Sequence, residues 1–560
     1  MDVRTTGSTL LLPLSGMSGL PLDQVNFVAC QFLAFIAACL LRLYWHPSQT
    51  SPWVRHVIAA SLGTFLIIFC FGWYATHCFV QVLLCYAVLT FASVGNIHKF
   101  IFVLSMGYLM LIQVSRIYVF GYGLFSTDFS GPLMLMTQKV TSLAFQIHDG
   151  LAKEEADLTV DQQRFAMRAR PSFLEFLSYT LNFMSILAGP CTCYKDYIAF
   201  IEGRNFWIKE TKFDGKCLPG RIEPSPLPVV WKKLLIVASC SVLFVTLSKT
   251  FPAARNADAE FIASASLSTR LCYLLVSVQA VRPKYYFAWT LADAINNAAG
   301  FGFNGYDENG RSRWDLISNL NIWKIETATD IKSIVNNWNI QTSLWLKRVC
   351  YTRVPVYPTA ATFALSAAWH GVYPGYYMTF SCGVLFIHAS RRARHFFRQL
   401  HLGWTPPQLS RVIVSWLVTQ FTVAYVVLPF LLLAVEPSLR FYSSLNFFLH
   451  IMVVLTLLLL PRTFGHIGST HSQLPVTKAT ILGKHKDSVT GPSPVDTRPC
   501  PIHNDDELCT HSNQDVEHVS HHVLYAAPAA RGRSFTTTSP AYCVAGVEQA
   551  RCRINEYINR

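Results

Sequence analysis

The chain has 560 residues, 52% of them hydrophobic and only 14% charged, where a soluble domain carries roughly 25% charged residues. That balance excludes an ordinary soluble enzyme. The formal net charge of +14 comes from basic residues scattered around apolar runs, which suits anchoring beside a bilayer, so the lipid bilayer is the expected partner and nucleic acid is not.

In chain order, the first 25 residues hold only the short apolar stretch 10–14, too little for a cleavable signal, so the run 27–41 is expected to direct insertion itself. Further apolar runs lie at 57–75, 78–94, 101–114, 234–247, 271–280, 359–368, 376–387, 412–433 and 447–460. Several fall short of the roughly 20 residues that cross a bilayer upright, so some must be tilted, broken or covered by neighbours. The expectation is an all-α polytopic membrane protein with roughly ten or eleven transmembrane or re-entrant helices, embedded over residues 1–461. Five of the 16 cysteines (Cys30, Cys39, Cys70, Cys78 and Cys85) fall inside these runs and no disulfide-framework spacing appears, so buried free thiols are expected.

The stretch 146–170 is rich in charge and is expected at or outside a membrane surface, and Pro224-Ser225-Pro226-Leu227-Pro228 reads as an extended linker. Asn296 to Phe303, Trp314-Asp315 and Trp323-Lys324 suit interfacial or re-entrant backbone. Residues 462–560 alternate Ser, Thr, His, Pro and acidic residues without periodicity and read as a disordered cytosolic tail. Its Cys500, Cys509, Cys543 and Cys552, with His503 and His511, form no compact ligand pair, so no metal site is expected.

Two polar residues at membrane depth carry the most information. Asn339 lies in Trp338-Asn339-Ile340-Gln341-Thr342, and His370 lies 31 residues later, before Gly371-Val372-Tyr373-Pro374-Gly375. Polar groups in hydrocarbon are costly unless they find partners or line a watered cavity. One straight helix would separate the pair by about 46 Å, beyond the roughly 30 Å hydrocarbon core. Pro355 and Pro358 break such a helix near its midpoint, and the resulting hairpin returns His370 to the depth of Asn339. A histidine there can be a proton relay, a metal ligand, a general base or a satisfied core residue. No His, Cys or carboxylate lies within a turn of His370 to share a metal, and Ser366, four residues before it, more often bonds its own helix backbone than serves as a nucleophile. Gly371, Pro374 and Gly375 allow close backbone approach and room for a ligand, and a neutral imidazole accepts a hydroxyl proton near neutral pH.

Trp338-Asn339 followed by Trp369-His370-Gly371-Val372-Tyr373-Pro374-Gly375-Tyr376-Tyr377-Met378-Thr379-Phe380 resembles the paired signature of the membrane-bound O-acyltransferase family. The Trp-His-Gly-x-x-Pro-Gly-Tyr-x-x-x-Phe form and Trp314-Asp315 are similar to its lysophospholipid acyltransferase branch. Tyr442, Phe447 and His450 approximate a further element of that branch, but position 446 is Asn where the branch has Tyr. The likeness covers residues 1 to about 460, and the tail does not look like the family's short basic end.

The resemblance implies acyl transfer from acyl-CoA, oleoyl-CoA in particular, to lysophosphatidylethanolamine or lysophosphatidylserine in the endoplasmic reticulum membrane, with no cofactor beyond the acyl-CoA co-substrate. It implies His370 as general base and Asn339 as a positioning or oxyanion-stabilising amide. It carries Trp338, Trp369, Tyr376, Trp314 and Asp315 into the candidate binding set. Lys347, Arg348 and Arg353 follow Asn339 and either receive phosphate or snorkel at a helix end. Tyr285, Tyr286, Trp289 and Trp345 either line the acyl path or pack. Other readings are acyl transfer to a sterol, diacylglycerol or peptide, and a lipid transporter, although no internal repeat supports the last.

Overall fold

The computed structural model describes residues 5–118, 129–206, 223–399 and 408–461; the tail expected to be disordered lies outside them. Among the described residues no strand forms, only the isolated bridges Tyr306–Ser312 and Leu320–Trp338. Local sequence sets many helix ends. Ser51 accepts a hydrogen bond from Val54 N ahead of Pro52, Ser172 and Glu175 form a capping box, and Asp258 and Ser266 cap the helices that follow them.

Five helical runs among the described residues are long and apolar enough to cross a membrane: Leu22–Leu43, Pro52–Phe91, Ile97–Ile117, Leu227–Ala257 and Leu409–Leu432. The bent pair Val435–Ser444 and Phe448–Leu459 makes a sixth if it acts as one broken span. Length and composition single these out; the expected ten or eleven took in re-entrant, tilted and covered helices as well. Gly72, with φ +57° and ψ −131°, interrupts the helical path between Pro52–Phe71 and Thr76–Phe91, which hold most of the runs 57–75 and 78–94. The helices Ser130–Ala152, Leu267–Ala299 and Pro374–Gln399 carry too many polar or charged residues to read as lipid-facing spans.

Ser130–Ala152 is the polar spine of the molecule. Its residues Ser130, Gln138, Lys139, Thr141, Gln146 and Asp149 are all buried within the protein, and the exposed part of the charged stretch begins at Leu151. Lys139 is fully enclosed and donates to the carbonyls of Tyr179 and Thr180 and to Ser185 Oγ, at 2.9, 3.4 and 2.7 Å. On another face, Asp149 takes a two-pronged bond from Arg353, at 3.0 and 2.6 Å, and the same guanidinium lies 4.4 Å from the centre of the Phe145 ring. Pairs of this shape are strong because fork and carboxylate match in geometry as well as charge.

Close helix approach depends on glycine at two places. A Cβ on Gly63 would stand 1.5 Å from the Leu181 carbonyl oxygen, and one on Gly375 would stand 2.1 Å from that of Pro429. A Cβ on Gly107, within helix Ile97–Tyr118, would meet nothing within 4 Å.

Two stability predictions follow from this packing. Gly63→Ala should lower the apparent melting temperature of detergent-extracted protein, by an overpacking cost of about 1–3 kcal/mol, while Gly107→Ala is neutral or slightly stabilising; equal melting of all three proteins would contradict the packing. Asp149→Ala should cost about 3–5 kcal/mol by leaving Arg353 unpaired, and the double variant Asp149→Ala/Arg353→Met should recover part of it, which a double-mutant cycle on melting temperatures measures.

Candidate active site

Helix Ser130–Ala152 acts as a depth gauge for the elements around it. Arg116 donates to Ser130 Oγ at 3.2 Å, and the Trp369 indole donates to the Met134 carbonyl at 2.9 Å. Gln138 donates to Thr342 Oγ1 and the Trp345 indole to Thr141 Oγ1, both at 2.9 Å. Asp149 closes the series with Arg353. Positions 130, 134, 138, 141, 145 and 149 share one helical face. Trp369, and so its neighbour His370, stands at the level of Met134. Asn339 begins the helix Ile340–Leu346, one turn from Thr342 on the side away from Trp345, which also brings it to about the level of Met134.

The connection between the two is a hairpin. Helix Ile340–Leu346 passes into the π-helical turn Lys347–Tyr351, the chain reverses through 352–357, and Pro358 starts the helix that ends at His370. Asn339 and His370 line one cavity of about 1100 Å³. Trp338, Trp369, Tyr376 and Lys347 of the expected set line it too, as do Tyr285 and Trp289.

Asn339 has φ +48° and ψ +54°, a left-handed conformation that asparagine tolerates better than most residues. The segment 316–321 holds this turn from both sides. Asn319 O accepts from Ile340 N at 3.0 Å, Asn319 Oδ1 accepts from Gln341 N at 3.1 Å, and Asn321 N donates to Asn337 O at 3.1 Å. Trp338 is packed edge-on against Tyr285, Tyr286 and Trp289 at 5.6, 5.9 and 5.5 Å between ring centres.

The His370 imidazole sits in an aromatic cage. Trp369 and Phe430 approach it edge-on at 4.7 and 5.1 Å, Phe380 stacks at 5.2 Å, and Tyr376 lies at 5.7 Å. The described residues give it no hydrogen-bond partner, so its ring nitrogens are available to a ligand in the cavity. Gly371 follows with φ +134°, a conformation suited to glycine, and turns the chain off the helix immediately after the imidazole. Lys332, Lys347 and Arg391 are exposed and reach the cavity wall, giving it a basic rim.

Three expected residues are not brought to this cavity. Arg348 pairs with Asp161 at 3.1 Å and covers the Phe165 ring at 4.0 Å. Trp314 is buried against Phe303, with its carbonyl accepting from Asn297 at 3.3 Å. Asp315 receives Asn304 and Arg313, each at 2.8 Å; burial opposes its ionisation, but these hydrogen bonds outweigh it and hold the carboxyl below its ordinary range. The Trp-Asp element thus braces the loop that supports Asn339 and reaches the site indirectly. Arg353 is held by Asp149, and Tyr286 bonds Glu326.

Gln113, Arg116 and Phe430 line the cavity without having been singled out from sequence, and Phe380, the closing residue of the signature, lines it too. For Gln113 the available signal was a polar residue inside an apolar run. The described residues contain no group of three or more His, Cys, Asp or Glu arranged to hold a metal ion.

Residues 114–430 match the sequence model of the membrane-bound O-acyltransferase family. The chain is 55% identical to membrane-bound glycerophospholipid O-acyltransferase 1 of Mus musculus over 463 residues, 82% of this chain and 94% of that protein. It is 51% identical to membrane-bound glycerophospholipid O-acyltransferase 2 of Homo sapiens over 488 residues, 87% of this chain and 94% of that protein. It is 39% identical to lysophospholipid acyltransferase 6 of Drosophila melanogaster over 460 residues, 81% of this chain and 64% of that protein. A polytopic helical body, a shared cavity and these matches over most of the chain lead to one assignment: the chain belongs to the membrane-bound O-acyltransferase family and is a multi-pass membrane acyltransferase.

Proposed function

We propose that this enzyme transfers an acyl group from acyl-CoA to the free glycerol hydroxyl of a lysophospholipid, lysophosphatidylethanolamine or lysophosphatidylserine, in the endoplasmic reticulum membrane. The observation that supports this mechanism is that Asn339 and His370 line one cavity rich in aromatic side chains. The names of the relatives, glycerophospholipid and lysophospholipid acyltransferases, support the acceptor class.

In this reading the acceptor oxygen attacks the thioester carbonyl while His370 takes its proton. Collapse of the tetrahedral species breaks the C–S bond, and the proton passes to the departing CoA sulfur. The Asn339 amide orients the acceptor or donates to the developing oxyanion. Direct transfer is favoured over an acyl-enzyme because Ser366, one helical turn before His370, makes no hydrogen bond to it among the described residues. The aromatic cage keeps bulk water from competing with the acceptor, and oleoyl-CoA is the donor this reading favours. Lys347, with Lys332 and Arg391, supplies positive charge for the CoA phosphates.

The test is product formation in microsomes at matched protein levels, with labelled oleoyl-CoA and separately each of lysophosphatidylethanolamine, lysophosphatidylserine, lysophosphatidylcholine, diacylglycerol and a sterol. Wild-type product should appear with the first two lysolipids; product only with diacylglycerol or sterol would overturn the acceptor assignment. His370→Ala should lower turnover by about 10²–10⁴-fold, and near-full activity would remove it as general base. Asn339→Gly keeps the backbone comfortable at positive φ, so a loss of about 10²–10³-fold there reports the amide itself; full activity in Asn339→Gly would reduce the residue to a backbone role.

A further inference from the structure

The cavity has a second polar corner that the mechanism leaves unused. Helix Ile97–Tyr118 brings Gln113 and Arg116 to its wall. Gln113 is 6% exposed, and its Nε2 donates to the Trp369 carbonyl at 3.1 Å. That bond fixes the amide orientation, because the flipped amide would set two oxygens face to face. Its Oε1 is buried without a partner, an acceptor at the cavity wall that lacks a donor. Arg116 lies three residues on, about 4.5 Å along the helix axis. It donates to Ser130 Oγ at 3.2 Å, and its guanidinium lies 5.9 Å from the centre of the Phe129 ring.

The spacing has a chemical counterpart. In a lysophospholipid the free hydroxyl and the phosphate are separated only by the glycerol C–C bond and the ester linkage, roughly one helical turn or about 5 Å. Gln113 is tied to the carbonyl of the residue before His370, so it marks the hydroxyl end of such a segment. Arg116 stands one turn further on. We propose that Gln113 and Arg116 read the hydroxyl–phosphate segment of the acceptor lipid, with Arg116 holding the phosphate. This rests on the acceptor class proposed above.

Phosphate also occurs on CoA, but the depth gauge separates the two. Trp345, two residues before Lys347, meets Thr141, which lies eleven residues from Ser130, or about 16 Å along that helix. Among the basic residues on the cavity wall, Lys347 lies in the helical run that meets that level, whereas Arg116 meets the Ser130 end. A guanidinium fork suits the paired oxygens of a phosphodiester better than a point charge does.

The experiment measures initial rates in microsomes for wild type, Arg116→Gln and Arg116→Lys, varying lysophosphatidylethanolamine at saturating oleoyl-CoA and then the reverse. Monoacylglycerol, which has the hydroxyl but no phosphate, is the comparison acceptor. Arg116→Gln should raise the lysophospholipid KM about 10- to 100-fold, leave the oleoyl-CoA KM within about twofold, and collapse the preference for lysophospholipid over monoacylglycerol. Arg116→Lys keeps charge and stem and should raise the lysophospholipid KM only a few-fold; it carries the test if Arg116→Gln does not accumulate. An unchanged lysophospholipid KM in both variants, or a rise confined to oleoyl-CoA, overturns the assignment of Arg116 while leaving the acceptor class standing. A wild-type enzyme that acylates monoacylglycerol and no lysophospholipid removes the acceptor class itself, and this inference with it.

Discussion

A hydrogen-bonding group inside a bilayer has no water to fall back on, and helix Ser130–Ala152 is built around that constraint. Its polar residues would be intolerable facing lipid, so every segment that packs on it must bring a matching donor or acceptor. Trp345 and Trp369 bring indole N–H groups, Thr342 a hydroxyl and Arg353 a guanidinium. Each match fixes both the depth and the rotation of the segment that makes it. The site is positioned by this polar ladder more than by apolar packing, which sets no register along a helix.

The cavity combines two environments that rarely adjoin. Around His370 the wall is almost wholly aromatic, and around Asn339 it is backbone stitched by hydrogen bonds to segment 316–321. An imidazole among ring edges has little competition for its nitrogens, while the Asn339 turn is held in a conformation that few side chains adopt. Glycine at 371 and 375 makes this possible: the first by its backbone angles, the second by letting Pro429 and Leu433 come close. The protein holds Asn339 and His370 by geometry imposed from neighbours.

The sequence alone made the membrane setting legible, because apolar runs of this length have few other uses. It also made the hairpin between Asn339 and His370 legible, since two prolines between two costly polar residues leave few alternatives. What it hid was partnership. Asp149 reads as a surface charge until Arg353, 204 positions away, is seen to hold it. Trp314 and Asp315 read as site residues by their company in a motif, yet they act on a loop. Arg348 has the same charge and neighbourhood as Lys347 but points to Asp161, a difference of helical rotation that composition does not encode.

The ladder also has a temporal side. Its rungs join residues separated by 204 and 235 positions. At a synthesis rate of about 5–20 residues per second, helix Ser130–Ala152 leaves the ribosome roughly 10–40 s before its counterparts exist. Throughout that interval its glutamine, threonine and aspartate side chains must be sheltered by the insertion machinery or by the short helices that follow it. The hairpin that carries Asn339 and His370 is therefore a late arrival in biogenesis, and a chain interrupted before residue 370 would retain most of its apolar helices while exposing a polar face to lipid. Quality control in the membrane has a ready mark for such incomplete chains.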